Sequence, residues 1–405
     1  MGFKCRFRVA ILKIMAHLRK RFVTPLLRKQ AKLWPVVGLL GPRQSGKTTV
    51  FSQELELGPC ISLDDLSTRT EAQRSPNTFL ERQPSPCVLD EAQKAPEIFD
   101  AIKLKVDQKR VPGSYFLTGS SGFSSKIGIH ESLTGRIALV NLHPLCLAEL
   151  HAKEFQASLT PTQKRPRFAS GEIAKSLDSG GMPVPAFLRD PEQRKAYWES
   201  WIETTLVRDL SRFFKRGYDV DLAYQLLERM GSILREGELP SLKHFATPAR
   251  KLRDLFGVME ETFLLRRIRC HELGAGTDVW LPFDSGFAAH LMKSTRGQGA
   301  LLSLARTLIW NEWACQHSYQ GVRLPRVYIK SAKGAPVDWI DTQGIPYRIV
   351  ESADLVGKSG WEERALAAAM KKLGAKTGYL VAPVDAPILP GKKGGIGILP
   401  WSAWS

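Results

Sequence analysis

The first 53 residues of this 405-residue chain contain no aspartate and no glutamate; the first acid is Glu54. Ten lysines and arginines fall within residues 1–34, and the whole chain carries a formal charge of +18 with a pI near 9.7. So little negative charge points to an acidic partner, most simply nucleic acid, although charge alone names none. Cysteine is scarce too. The six present include no CxxC pair, which argues against the usual zinc spacings and a disulfide framework and fits a reducing cytoplasm. No apolar run approaches the length of a membrane span. Near the start, Lys13 interrupts the apolar positions Val9, Ile11, Leu12, Ile14, Met15 and Leu18, which argues against a secretory core. Arg6 stands where a myristoylation motif wants serine or threonine. Residues 1–34 are expected to be a basic helical extension, either solvated or set against nucleic acid, a membrane surface or the next domain.

What remains is ordinary globular material, 43% hydrophobic and 24% charged. Its length calls for roughly two to four domains. Residues 35–150 alternate short apolar runs with helical stretches, the pattern of an α/β domain with a parallel sheet. Strands are expected at 36–40, 60–63, 87–89, 115–118 and 137–142. Residues 151–220 read as a polar connector followed by an aromatic helical region. Residues 221–295 read as a small helical unit with two strands, and 296–405 as a further α/β domain.

The strand at 36–40 breaks into Gly41-Pro42-Arg43-Gln44-Ser45-Gly46-Lys47-Thr48-Thr49, which satisfies G-x-x-x-x-G-K-[ST] between a strand and a helix. Glycines let such a loop close around phosphate, with backbone N–H groups facing the anion. Lys47 is placed to reach the β- and γ-phosphates of ATP, and Thr48 to offer its hydroxyl to Mg²⁺. The segment "CVLDEAQ" ends a buried strand in two acids, Asp90 for Mg²⁺ and Glu91 for the attacking water. In "YFLTGSS", Ser120 can sense the γ-phosphate, against the alternative of a plain turn. Arg136, just ahead of the strand "IALV", is either an arginine finger in the same or a neighbouring subunit or a structural ion pair. Asp64 and Asp65 read as helix caps.

Taken in order, "LLGPRQSGKTT", "SLDD", "FLERQPSPCVLDEAQKAPEIF", "FLTGSS", "ESLTGR" and "LHPLCLAEL", then "GGMP", "WIETTLVRDL" and "FDSGFAAHL", the chain resembles prokaryotic AAA-type P-loop ATPases. These carry a C-terminal domain of unknown function with a nuclease-like fold. The resemblance runs from about Arg21 onward and implies ATP binding and hydrolysis.

Within residues 221–295, Thr247 is expected to cap a helix with Pro248 in its first turn. Leu252, Leu255, Phe256 and Met259 then share one face, while Arg250, Lys251 and Arg253 fall outside it. A short preceding helix and two following strands make a winged helix-turn-helix, used either on DNA phosphates or for packing. For residues 296–405 the resemblance implies a PD-(D/E)xK nuclease fold. Asp338 and Glu351 take the acid positions and Glu312 that of a helix acid, but Ala353 stands where lysine is required, and Lys358 could substitute only if its loop folded back. Without that ammonium the expected outcome is an inactive shell. The resulting expectation is an Mg²⁺-dependent ATPase whose nucleotide state changes how the C-terminal region meets DNA or a protein. Self-association, a barely hydrolysing switch and an ATP-loaded nuclease stay open as alternatives.

Overall fold

Val36–Leu40 (β1) is buried along its whole length because it has a neighbour on each side. Tyr115–Gly119 (β4) pairs with it on one side and Ile137–Asn141 (β5) on the other, both parallel. Cys60–Ser62 (β2) and Cys87–Asp90 (β3) extend the sheet in the order β2-β3-β4-β1-β5, parallel throughout. The strands lie where the sequence places them, to within one residue at the ends. The computed structural model describes residues 18–121, 132–161, 167–214, 217–330, 336–355 and 360–405. The first half of the expected N-terminal basic extension, residues 1–17, lies outside the described residues, as does Lys358.

Helices α1 (Thr24–Ala31), α2 (Lys47–Thr49, continued by a π-helical turn over Val50–Glu54), α3 (Leu66–Arg74), α4 (Pro76–Glu81) and α5 (Glu97–Gln108) surround the sheet. α5 shows why: Ile98, Ile102 and Val106 recur every four residues and are buried, and Glu97 and Asp100 sit in its first turn. Asp65 caps α3 by accepting from Thr68 N at 2.8 Å, as expected. Asp64 does not cap; it turns toward cations described below.

After α6 (Leu147–Leu150) and α7 (Ser170–Leu177), the helix α8 (Pro191–Glu203) runs on through a wide turn, Thr204–Asp209, and a tight one, Leu210–Phe213. Then come α9 (Val220–Arg235), α10 (Ala249–Glu261), α11 (Ser285–Met292) and α12 (Gln298–Tyr319). α12 is buried on nearly every side from Ala300 to Tyr319, as a helix at the centre of a core must be. Trp310 and Trp313 on it meet Trp339, and Trp313 also meets Trp404, so the last residues of the chain close onto α12.

The expected Thr247 cap is not formed. α10 begins at Ala249, with Pro248 (φ −52°, ψ 132°) in the cap position and no side chain accepting there. Pro248 itself takes the extended ψ of a cap residue, so the first helical position moves to Ala249 and Thr247 stands one residue too early to cap. Behind α10, Leu265–Cys270 (β6) and Val279–Pro282 (β7) pair antiparallel. β6 also pairs parallel with Val327–Lys330 (β8), which pairs with Pro336–Val337 (β9). Strand pairing therefore crosses residue 295, where the sequence suggests a boundary. The apolar run 337–340 reads in the sequence as one strand, but the structure divides it at Asp338. β9 stays with β8, while Trp339–Ile340 (β10) joins Pro346–Ile349 (β11), Thr377–Ala382 (β12) and Gly395–Pro400 (β13) in a third sheet. Trp361–Leu373 (α13) packs on that sheet.

Candidate nucleotide site

Because the first sheet is parallel, the C-terminal ends of β1, β3 and β4 lie side by side along one edge, where α/β sheets hold ligands. The loop from Gly41 leaves β1 at that edge. A Cβ on Gly41 would stand 2.4 Å from the carbonyl oxygen of Leu142, so only glycine lets the loop pass so close to the end of β5. Gly46 adopts φ 96°, a left-handed turn into α2 that an ordinary residue resists. Lys47 is buried, and its Nζ donates to the carbonyl oxygens of Gly41 (3.0 Å) and Pro42 (2.9 Å). Burial lowers its pKa, opposed by the nearby charges of Glu91 and Asp90.

Register brings the next groups in. Leu89 of β3 lies opposite Leu117 of β4, so Asp90 falls beside Thr118. Thr118 donates its hydroxyl to Asp90 Oδ1, and Thr48 donates to the same oxygen at 3.1 Å. Glu91 is buried and left-handed (φ 55°); its N–H bonds to Thr118 Oγ1. Ser120 donates to Glu91 Oε2 at 2.7 Å, and Gln93 Nε2 reaches the same oxygen at 2.5 Å. A hydroxyl and a carboxylate on neighbouring backbones are hard oxygen donors of the kind Mg²⁺ takes beside substrate phosphates, so the residues present fit Mg²⁺ with a nucleotide.

Cations gather at the same edge. Arg43 pairs with Asp209 at 3.4 Å, and its carbonyl accepts from Trp201 Nε1. Arg208 donates to Asp64 at 3.0 Å, and Lys94 pairs with the same carboxylate. Burial, with Arg208, Arg212 and Arg43 nearby, pushes the Lys94 ammonium down to about 7. A small cleft of about 170 Å³ opens beside the loop, between Arg43 and Gln44 on one wall and Tyr197, Ser200, Trp201 and Thr204 on the other.

Arg136 is not brought to this site. It directly precedes β5, its carbonyl accepts from Val36 N, and β5 runs parallel to β1. It therefore lies at the opposite end of β1 from the loop, about 15 Å of strand away. There it makes a two-pronged ion pair with Asp107 (2.7 and 2.8 Å). The three C-terminal acids do not converge either. Asp338 accepts from Arg306 Nε (2.6 Å) and Ile349 N (2.8 Å). Glu312 accepts from Leu147 N and Ser405 Oγ. Among the described residues, no three His, Cys, Asp or Glu side chains are placed to hold a metal.

Several participants carry no sequence signal of their own. Thr118 was visible only as one of three hydroxyls in "TGSS", and Gln93 only as a neighbour of the acids. Asp209 meets Arg43 of the loop, and Lys94 and Arg208 meet Asp64, and nothing local marks these pairings.

Residues 34–151 match the family model described as an AAA domain. Two uncharacterized mycobacterial proteins, from Mycobacterium tuberculosis and Mycobacterium bovis, are each 28% identical over 198 residues, covering 48% of this chain and 40% of theirs. The chain thus spans about two fifths of the length of these curated relatives. A Walker-type ATPase of Pyrococcus abyssi superposes on 66% of this chain and 94% of its own, with a TM-score of 0.37 and 15% identity. No described helix is long and apolar enough to cross a membrane. From the loop at Gly41 to the acids that end β3, the parallel sheet and its site lie within the residues that match the AAA-domain model.

Proposed function

We propose that this domain binds ATP with Mg²⁺ and hydrolyses it, and that its nucleotide state governs how the C-terminal region meets DNA or a protein partner. One arrangement carries the reading: Lys47, Thr48, Asp90 and Glu91 meet at the ends of neighbouring parallel strands, with Ser120 holding Glu91. The loop's backbone and Lys47 would bind the phosphates, and Thr48 and Asp90 would hold the metal. Bound Mg²⁺ supplies charge neutralisation on the β- and γ-phosphates. Glu91 would orient the attacking water and accept its proton, in a position fixed by Ser120 and Gln93. For the partner, the exposed Arg250 and Arg253 on α10, ahead of the β6–β7 pair, suit phosphate contacts of a winged helix on DNA.

Steady-state ATP hydrolysis with and without duplex DNA tests this, comparing the parent with Lys47→Ala and Glu91→Gln. Turnover raised by DNA and lost in both variants is expected. A second reading, a switch that binds ATP and scarcely hydrolyses it, draws on the two donors that already occupy Glu91 Oε2. Tight ATP binding with slow turnover unchanged by Glu91→Gln would favour it.

A further inference from the structure

Arg21 lies outside every motif of the nucleotide loop, yet it touches the back of it. Its guanidinium is buried, and Nη1 donates to Ser45 O at 2.8 Å. Nη2 donates to His143 O at 2.6 Å and lies 3.3 Å from the Tyr319 hydroxyl, while Nε stands 3.2 Å from Glu149 Oε1. Burial opposes the charge, but Glu149, Tyr319 and Cys315 together outweigh it and hold the guanidinium above its ordinary pKa. The backbone of the same residue is tied down as well: Arg21 N donates to Glu54, the last residue of α2. Four segments therefore meet at one side chain: the loop, the end of β5, α6 and the last turn of α12. A planar fork with several fixed donors can do this, and a lysine ammonium cannot.

The bond to Ser45 has a direct consequence at the phosphate side. In a trans peptide the C=O of one residue and the N–H of the next point in opposite directions. Drawing the Ser45 carbonyl back toward Arg21 aims the Gly46 N–H the other way, where a loop of this kind faces its anion. Gly46 needs a left-handed φ to permit this, and it has one. On the far side, Tyr319 also takes the N–H of His143 at 3.3 Å, and Ser318 on the same turn of α12 bonds His143 Nε2 at 2.7 Å.

We propose that Arg21 is a positioning residue for the nucleotide loop, and that through Tyr319 it makes α12 respond to a nucleoside triphosphate held there. The inference rests on the nucleotide reading above. It also supplies the link that reading needs, because α12 is the central helix of the C-terminal region.

Calorimetry with Mg-ATP and hydrogen exchange of α12 with and without Mg-ATP test it on the full chain. Arg21→Lys, which keeps a charge for Glu149 but not the fork, should weaken Mg-ATP binding about tenfold, the worth of a charged hydrogen bond. It should also lose the ATP-dependent change in exchange along α12. Tyr319→Phe should keep affinity within about twofold and still lose that change, which a purely structural role would not produce. Arg21→Met combined with Glu149→Gln removes both buried charges and should behave as Arg21→Lys, without an orphaned carboxylate. If the parent binds no Mg-ATP, the proposed function fails and this inference with it. If the parent binds, and Arg21→Lys matches it in affinity and in exchange, this inference alone is overturned.

Discussion

Arg306 Nε lies 2.6 Å from Asp338 Oδ1, and both side chains are almost fully buried. The carboxylate that a nuclease would turn toward a metal is thus neutralised from within, and its other oxygen accepts from Ile349 N. Asp338→Ala is expected to destabilise the protein by about 3–5 kcal/mol, because it leaves the Arg306 charge buried without a partner. It should change no cleavage, since the parent is expected to leave duplex DNA intact with Mg²⁺ or Mn²⁺. Denaturant unfolding and a cleavage assay check the two parts. Metal-dependent cutting by the parent, lost in the variant, would reverse the conclusion.

Ser120 gives its hydroxyl to Glu91 rather than standing free at the strand end. Removing it in Ser120→Ala should leave Glu91 in place but less firmly aimed. The expected result is a fall in kcat of about tenfold with KM for ATP little changed, whereas Glu91→Gln should cost roughly a hundredfold or more. An effect of Ser120→Ala confined to KM would instead make Ser120 a phosphate contact.

Arg136 and Asp107 form an exposed pair far from the loop of the same chain. If that pair is all Arg136 does, Arg136→Ala should leave the thermal midpoint and turnover almost unchanged. A large loss of kcat that depends on protein concentration would make it a finger reaching into a neighbouring subunit. Turnover measured over a range of protein concentrations separates the two.

The nucleotide loop was legible because its determinants are local: eight consecutive residues, a strand before and a helix after. Asp90 and Glu91 were legible because a short apolar run ends in them. The strand order was not, since nothing in Val36–Leu40 says that β4 and β5 will flank it. Arg21, Arg208 and Asp64 were missed for a related reason. Their partners lie tens to hundreds of residues away, and the only local trace is a charged residue that could as well be solvated. At 337–340 the apolar pattern reads as one strand, because periodicity cannot show that a chain changes sheets at Asp338. What divides it is long-range: the Asp338 side chain bonds Arg306 on α12 and the backbone of β11.

Glu312 carries the pH dependence most open to measurement. It is buried on α12, and burial pushes its carboxyl up to about 8, against the donors Leu147 N and Ser405 Oγ, which pull it down. An unfolded glutamate titrates near 4.5. Between those values the native state keeps a proton that the unfolded chain has released, so stability falls as pH rises, by at most about 1.4 kcal/mol per pH unit. The contribution is whole below 4.5, and its slope vanishes above about 8. Asp284, pushed up to about 6 by burial, acts in the same direction but only below that value. Lys94 and the buried histidines, whose pKa values burial lowers, also titrate between pH 6 and 8, so Glu312 is isolated there by comparison with a variant that differs at Glu312 alone. Glu312→Gln keeps the shape and an acceptor for Leu147 N without a titrating proton. Thermal midpoints of the parent should decline relative to the variant across that window. Parallel curves would mean that Glu312 is already ionised in the fold at pH 6, held by a charge balance other than the burial seen around it.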